Sequence, residues 1–163
     1  MDFGLLLLRL TVGMSVAAHG AQKLFAWFGG PGLGAAGQFM TMLGFHPGRR
    51  HALMAGLAEM SGGLLLAFGL ITPVAAAMVV SVMLVAALTV HVKKGFFVQD
   101  GGYEYTLALG VAAVSVAFTG PGTLSLDALA GFSLNGWLWG IAAFIVGLVG
   151  AAIQMSQRRP EVH

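Results

Sequence analysis

Arg9, His19, Lys23, Glu59, His91 and Glu104 are ionisable residues set inside long apolar runs or at their ends. Charging a side chain at bilayer depth costs about 2.5 kcal/mol or more, so such residues mark a pairing partner, a proton path or a ligand site. A histidine that titrates near neutrality, beside a carboxylate raised towards it by burial, could pass protons. Membership of a membrane site follows from these residues; the reaction does not follow from them alone.

The elements that must hold these groups are helices. Apolar runs at 5–28, 52–71, 74–92, 103–119 and 137–155 each have the length of a membrane span. Hydrophobic residues make up 58% of the 163 and charged residues 9%, against about 25% charged in a soluble domain. Mean hydropathy is +0.88. An all-α integral membrane protein follows, with a four-helix transmembrane bundle and a fifth transmembrane helix, and with no room for a separate soluble domain. A net charge of +2 is too small to suggest nucleic-acid binding, and the chain has no cysteine. Disulfides, thiol relays and thiolate-held metal or iron–sulfur clusters therefore cannot come from this chain alone.

Val16-Ala17-Ala18 resembles a signal-cleavage site, but no basic segment precedes the apolar core and Arg9 lies within it. The first run is accordingly expected to stay as a span. With five spans, the first loop (29–51), the loop at 93–102 and the C-terminus share one side. That side carries Arg49, Arg50, Lys93, Lys94, Arg158 and Arg159, with Lys23 at its edge. Basic residues are retained on the cytoplasmic face, which predicts a multi-pass plasma-membrane protein with its N-terminus outside and its C-terminus in the cytoplasm.

Thr72-Pro73 is expected to separate two spans as a tight antiparallel hairpin, and Gly120-Pro121-Gly122 to close the fourth. In the first loop, Leu33, Ala36, Phe39, Met40 and Leu43 recur at helical spacing, predicting an interfacial helix over about 33–45. It covers the bundle edge, with a moving lid as the second reading.

Spacing also assigns faces. Arg9, Val12, Val16, His19 and Lys23 form one stripe. Ala52, Ala55, Glu59, Gly63 and Ala67 put a carboxylate amid small residues, the kind of face that lets helices approach closely. In the fourth span, Glu104 above Ala108, Val111 and Ser115 is expected to point inward likewise. His19 and Glu59 fall at a similar depth, roughly 10 Å from one end at 1.5 Å per residue. Duller roles compete with these. Glu59 could be a buried structural pair with His19 or Lys23, Arg9 could snorkel or pair with Asp127, and Lys93-Lys94 could meet headgroups. Tyr103, Tyr105, Trp27, Trp137 and Trp139 read as belt aromatics. Gly136, Gly140, Ala143, Gly147 and Ala151 make a packing stripe on the fifth span, for the bundle or for a second copy.

Several motifs stand in order. They are His19-Gly-Ala-Gln-Lys-Leu24, Phe28-Gly-Gly-Pro-Gly32 and Glu59-Met-Ser-Gly-Gly63 followed by Gly69. After them come His91, Gly95-Phe-Phe97, Gly101-Gly-Tyr-Glu-Tyr105, Gly120-Pro-Gly122 and Ser125-Leu-Asp127. In order and spacing this series closely resembles the DoxX family over roughly residues 3–128. The resemblance implies a four-helix membrane domain at 1–128; residues 129–163 depart from it by adding a transmembrane helix (about 137–155) and a short basic tail. Family relatives include a membrane subunit of a thiosulfate:quinone oxidoreductase, proteins tied to quinone or catechol resistance, and mycobacterial members associated with superoxide dismutase and a sulfurtransferase. The resemblance thus implies electron or sulfur chemistry near the quinone pool.

Residues and resemblance together nominate His19, Gln22, Lys23, Glu59, His91, Tyr103 and Glu104 for ligand binding or proton transfer, and Arg9 and Asp127 for structural or pairing roles. The leading expectation is a membrane subunit of a quinone-linked redox or oxidative- and thiol-stress complex, with quinone as cofactor and electrons from a soluble redox partner or a further cofactor. No electron carrier or dinucleotide fingerprint is legible. Haem between His19 and His91 is disfavoured, because two histidines on different helices are a weak signal. The alternatives are a scaffold recruiting soluble oxidative-stress enzymes and a small proton-coupled transporter. Membrane lipids, and a second copy through the fifth helix, complete the expected partners.

Overall fold

Small residues decide how the first two long helices meet. In the structure, a computed structural model that describes residues 2–159, α1 (Asp2–Phe25) crosses α3 (Gly48–Phe68) through Gly13, Ala17 and Gly20. A Cβ at Gly13 would lie 2.5 Å from the Gly63 carbonyl oxygen, and one at Gly20 2.5 Å from the Met60 amide nitrogen. The backbones therefore touch, as the small-residue face around Glu59 predicts. This is the most extensive helix contact in the chain.

Helix α3 ends at Gly69, whose φ of 63° allows Leu70 N–H to donate to Leu65 O and Gly69 N–H to donate to Leu66 O. That paired closure is a Schellman turn. The hairpin therefore turns at 69–71, and Thr72 and Pro73 open α4 (Thr72–Ala86) rather than separating the spans. Proline fits there because the first-turn amide it lacks has no helical partner. The helix runs on through a widened turn at Ala87–His91 and a tight one at Val92–Lys94.

Loop 95–103 is tied back on itself: Tyr103 N–H donates to Gly95 O and Glu104 N–H to Phe96 O. From there α5 (Glu104–Thr119) returns to the far end, where Thr123 N–H donates to Asp2 Oδ1. A short helix α6 (Leu126–Leu129), capped by Ser125, precedes α7 (Trp137–Ser156). Helix α7 packs on α4 and α5 and finishes beside the first loop, where Arg158 Nε donates to Leu43 O and Arg159 N–H to Gly44 O. The C-terminal end of the described chain thus shares a side with the first loop. Residues 160–163 of the expected tail lie outside the described residues.

Helices α1, α3 and α7, and the continuous helix Thr72–Lys94, are long and apolar enough to span a membrane. Helix α5, at 16 residues, is apolar but shorter. The expected interfacial helix is α2 (Gly32–Met42), lying against α3.

One predicted face is wrong. Ala108, Val111 and Ser115 are exposed, whereas Thr106, Leu109, Ala113, Val116 and Ala117 are buried. Ser115 needs no interhelical partner because its hydroxyl donates to Val111 O one turn back, and α5 turns the stripe of Leu109, Ala113 and Val116 to the core instead.

Candidate functional site

Lys23 comes from the last turn of α1 and Glu59 from mid-α3, and the close α1–α3 approach brings them together. Lys23 Nζ and Glu59 Oε2 are 2.5 Å apart, with side-chain exposures of 25% and 6%. It is the one ion pair among the described residues. Glu59 Oε1 takes no hydrogen bond from them, which leaves an acceptor for a ligand or water.

The pair lines a cavity of about 370 Å³ that also receives His51, Thr89, His91 and Gln154. Phe39, Met40 and Leu43 of α2 and its following turn cover one side, and Val82, Val85 and Ala86 of α4 another. Such a volume, with mostly apolar walls and a few convergent polar groups, is that of a small-molecule site.

Two histidines are oriented by their hydrogen bonds. His91 closes the widened turn of α4, and its Nδ1 lies 2.6 Å from Gly101 O. A carbonyl only accepts, so Nδ1 carries the proton and Nε2 of the neutral ring is the acceptor. His51, nearly inaccessible and beside the Phe45 ring, has Nδ1 2.8 Å from the Gln154 amide nitrogen. There the amide donates, so Nε2–H is the donor of that ring. The cavity thus holds a cation, a carboxylate, one imidazole acceptor and one imidazole donor.

Of the residues nominated from sequence, Lys23, Glu59 and His91 meet here. His19 and Gln22 do not line this cavity: His19 Nδ1 is 3.2 Å from Gln22 Oε1, and its ring stands edge-on to Tyr105 at 6.0 Å. Gln22 Nε2 donates to Phe28 O. Tyr103 packs edge-on against Phe96 at 5.4 Å, and its carbonyl accepts from Thr106 Oγ1. Glu104 Oε2 accepts from Val98 N–H at 3.0 Å, holding the loop. The partner of Glu59 is Lys23 and not His19.

Arg9 and Asp127 sit at the opposite end, both buried, and make no direct ion pair. Asp127 instead accepts from Ile71 N–H (2.7 Å), Thr72 N–H (3.0 Å) and Thr72 Oγ1 (2.6 Å), capping α4 from another segment. Arg9 Nη2 donates to Leu124 O, so the side chain is anchored inside and does not snorkel.

His51 and Gln154 were not nominated. A signal existed for each: His51, Ala55 and Glu59 recur at fourfold spacing, and Gln154 is the lone amide in the last apolar run.

A DoxX family profile matches residues 4–92. A Bacillus subtilis (strain 168) protein named "Putative oxidoreductase CatD" is 29% identical over 126 residues, which cover 77% of this chain and 86% of that one. No solved structure matches.

Proposed function

This chain belongs to the DoxX family, and we propose that it serves as the membrane subunit of a quinone-linked redox or oxidative- and thiol-stress complex, with the Lys23–Glu59 cavity as its small-ligand site. The observation that carries the reading is a buried carboxylate, paired with a lysine on one oxygen and open on the other, inside a cavity of about 370 Å³ that His91 also lines. The relative named as an oxidoreductase supports the redox setting.

Reducing a quinone to a quinol takes two electrons and two protons. The chain has no cysteine for an iron–sulfur or thiol carrier, and the electrons come from a partner protein or a bound cofactor. The protons are within the reach of the residues present: Lys23 and His51 Nε2–H donate hydrogen bonds to a quinone oxygen, while Glu59 and His91 Nε2 accept and relay protons. Burial favours this arrangement by strengthening each hydrogen bond. The subunit lies in the plasma membrane with the cavity end, marked by Arg49, Arg50, Lys93 and Lys94, facing the cytoplasm. These exposed bases also favour a second reading, a scaffold that docks an acidic soluble enzyme on that face.

Organic extraction of the purified protein tests the proposal. Quinone should co-purify with the wild type and be lost from Glu59→Gln that retains its fold. Wild-type protein that neither carries quinone nor takes up a soluble analogue would defeat the reading.

A further inference from the structure

Another buried charge lies at the other end of the bundle, away from the Lys23–Glu59 cavity. Arg9 is 0% exposed, and only its Nη2 is occupied, by Leu124 O. Nε and Nη1 are buried with no hydrogen-bond partner among the described residues. A guanidinium has five N–H donors and cannot shed its charge, so donors left empty inside a protein are costly and call for an acceptor. The nearby carboxylate does not supply it, because Asp127 is committed to the first amides of α4. Gly69 makes the room: a Cβ there would fall on Arg9 Nη1, so any side chain at 69 would expel the guanidinium.

Arg9 also lines a cavity of about 790 Å³. Its other walls are nearly all apolar, with Leu6, Leu10, Phe68, Leu126 and Leu129 among them. Leu129 is 84% exposed and Phe68 54%, so the cavity opens beside exposed apolar side chains. A cation beneath an apolar mouth fits a molecule that is anionic at one end and greasy at the other.

We propose that this cavity is a binding site for the phosphate head of an anionic membrane phospholipid. Arg9 turns from its buried position so that its guanidinium donates to the phosphate oxygens, and the acyl chain runs over Leu10, Phe68 and Leu129. Arginine suits this role because its charge persists in a dry site and phosphate has oxygens enough for several of its donors. The site is separate from the quinone reading and stands whether or not that reading holds.

The test uses the whole protein, purified in detergent, stripped of lipid and titrated with phosphatidylglycerol or phosphatidylcholine, with binding read by native mass spectrometry. Phosphatidylglycerol should bind about tenfold more tightly, and inorganic phosphate alone should neither bind nor compete. Arg9→Gln should abolish the preference. Because that variant removes a buried group, Leu129→Glu at the exposed mouth is the companion, with Leu129→Gln as its neutral control. The glutamate should weaken phosphatidylglycerol binding about fivefold, the worth of one charge near an anionic surface, while the glutamine should not. Glu59→Gln should leave the preference intact. Equal binding of the two lipids by the wild type, competition by free phosphate, or a preference unmoved in both Arg9→Gln and Leu129→Glu would overturn the proposal.

Discussion

Lys23 and Glu59 meet across the most extensive helix contact among the described residues, with Nζ and Oε2 2.5 Å apart and the carboxylate much the more buried of the two. The asymmetry has a consequence for the pair's two deletions. Without Glu59, the lysine can swing its head towards water along its flexible stem. Without Lys23, the carboxylate stays inside with no cation.

Lys23→Met should therefore destabilise the protein more than Glu59→Gln does. Removing one partner of a buried pair costs about 3–5 kcal/mol, and the partial exposure of Lys23 places this case at the low end. Glu59→Gln keeps the shape and should cost less, while eliminating quinone retention. Thermal melting of both variants in the same detergent gives the order; the reverse order would show that the lysine, and not the carboxylate, is the trapped charge.

His91 ties the end of α4 to loop 95–103 through Gly101 O. His91→Phe should lose that bond, worth about 1 kcal/mol, and speed amide exchange in residues 97–103 while the helices remain protected. Quinone retention should fall with it, since the acceptor Nε2 is gone. Retention at the wild-type level would remove His91 from the site and leave it a loop tether.

Asp127 caps α4 from a distant segment, so its loss should be felt at Ile71 and Thr72. Asp127→Ala should destabilise by about 2–3 kcal/mol, as three hydrogen bonds to a charged acceptor disappear from a buried setting. Hydrogen exchange should rise at the Ile71 and Thr72 amides before any other part of α4. An unchanged exchange rate there would mean that α4 starts without help from α6.

Much of this was legible because membrane helices follow simple spacing rules. The stripe of Arg9, Val12 and Val16 is buried with His19 and Lys23 at its half-buried end, and the small-residue face of α3 packs as its spacing implies. Helix α5 misled because Ala108, Val111 and Ser115 are small or polar enough to suggest an interface, yet a serine that bonds its own backbone can face lipid. The Lys23–Glu59 contact was one of two pairings left open, since periodicity gives a shared face but not which side chain reaches. His51 and Gln154 meet across 103 positions of sequence, and no local pattern joins them. The widened turn that carries His91 is likewise invisible to a regular helical period.

The small residues of α7 face its neighbours. A Cβ on Gly147 would lie 2.7 Å from Val80 Cγ1 and 3.0 Å from Ala77 O, so Gly147→Leu must push α7 off α4. The expected loss is about 1–3 kcal/mol, read as a lower melting temperature. Association of two copies through this helix would have to use its outward face, where Ile145, Val146 and Val149 are exposed. Val149→Trp should then change the cross-linked mass and not the stability. A Gly147→Leu protein that melts as the wild type does would detach α7 from the bundle.

Orientation can be read directly, because the chain has no cysteine to interfere. Ser133, before α7, and Lys94, after α4, are both exposed and lie at opposite ends of the bundle. In intact cells, a membrane-impermeant thiol reagent should label Ser133→Cys at once and Lys94→Cys only after permeabilisation. The reason is the clustering of Arg49, Arg50, Lys93, Lys94, Arg158 and Arg159 at one end, since loops rich in lysine and arginine are retained on the cytoplasmic side. The opposite labelling pattern would put the Lys23–Glu59 cavity towards the outside, and a redox partner for it would then have to be sought on that face.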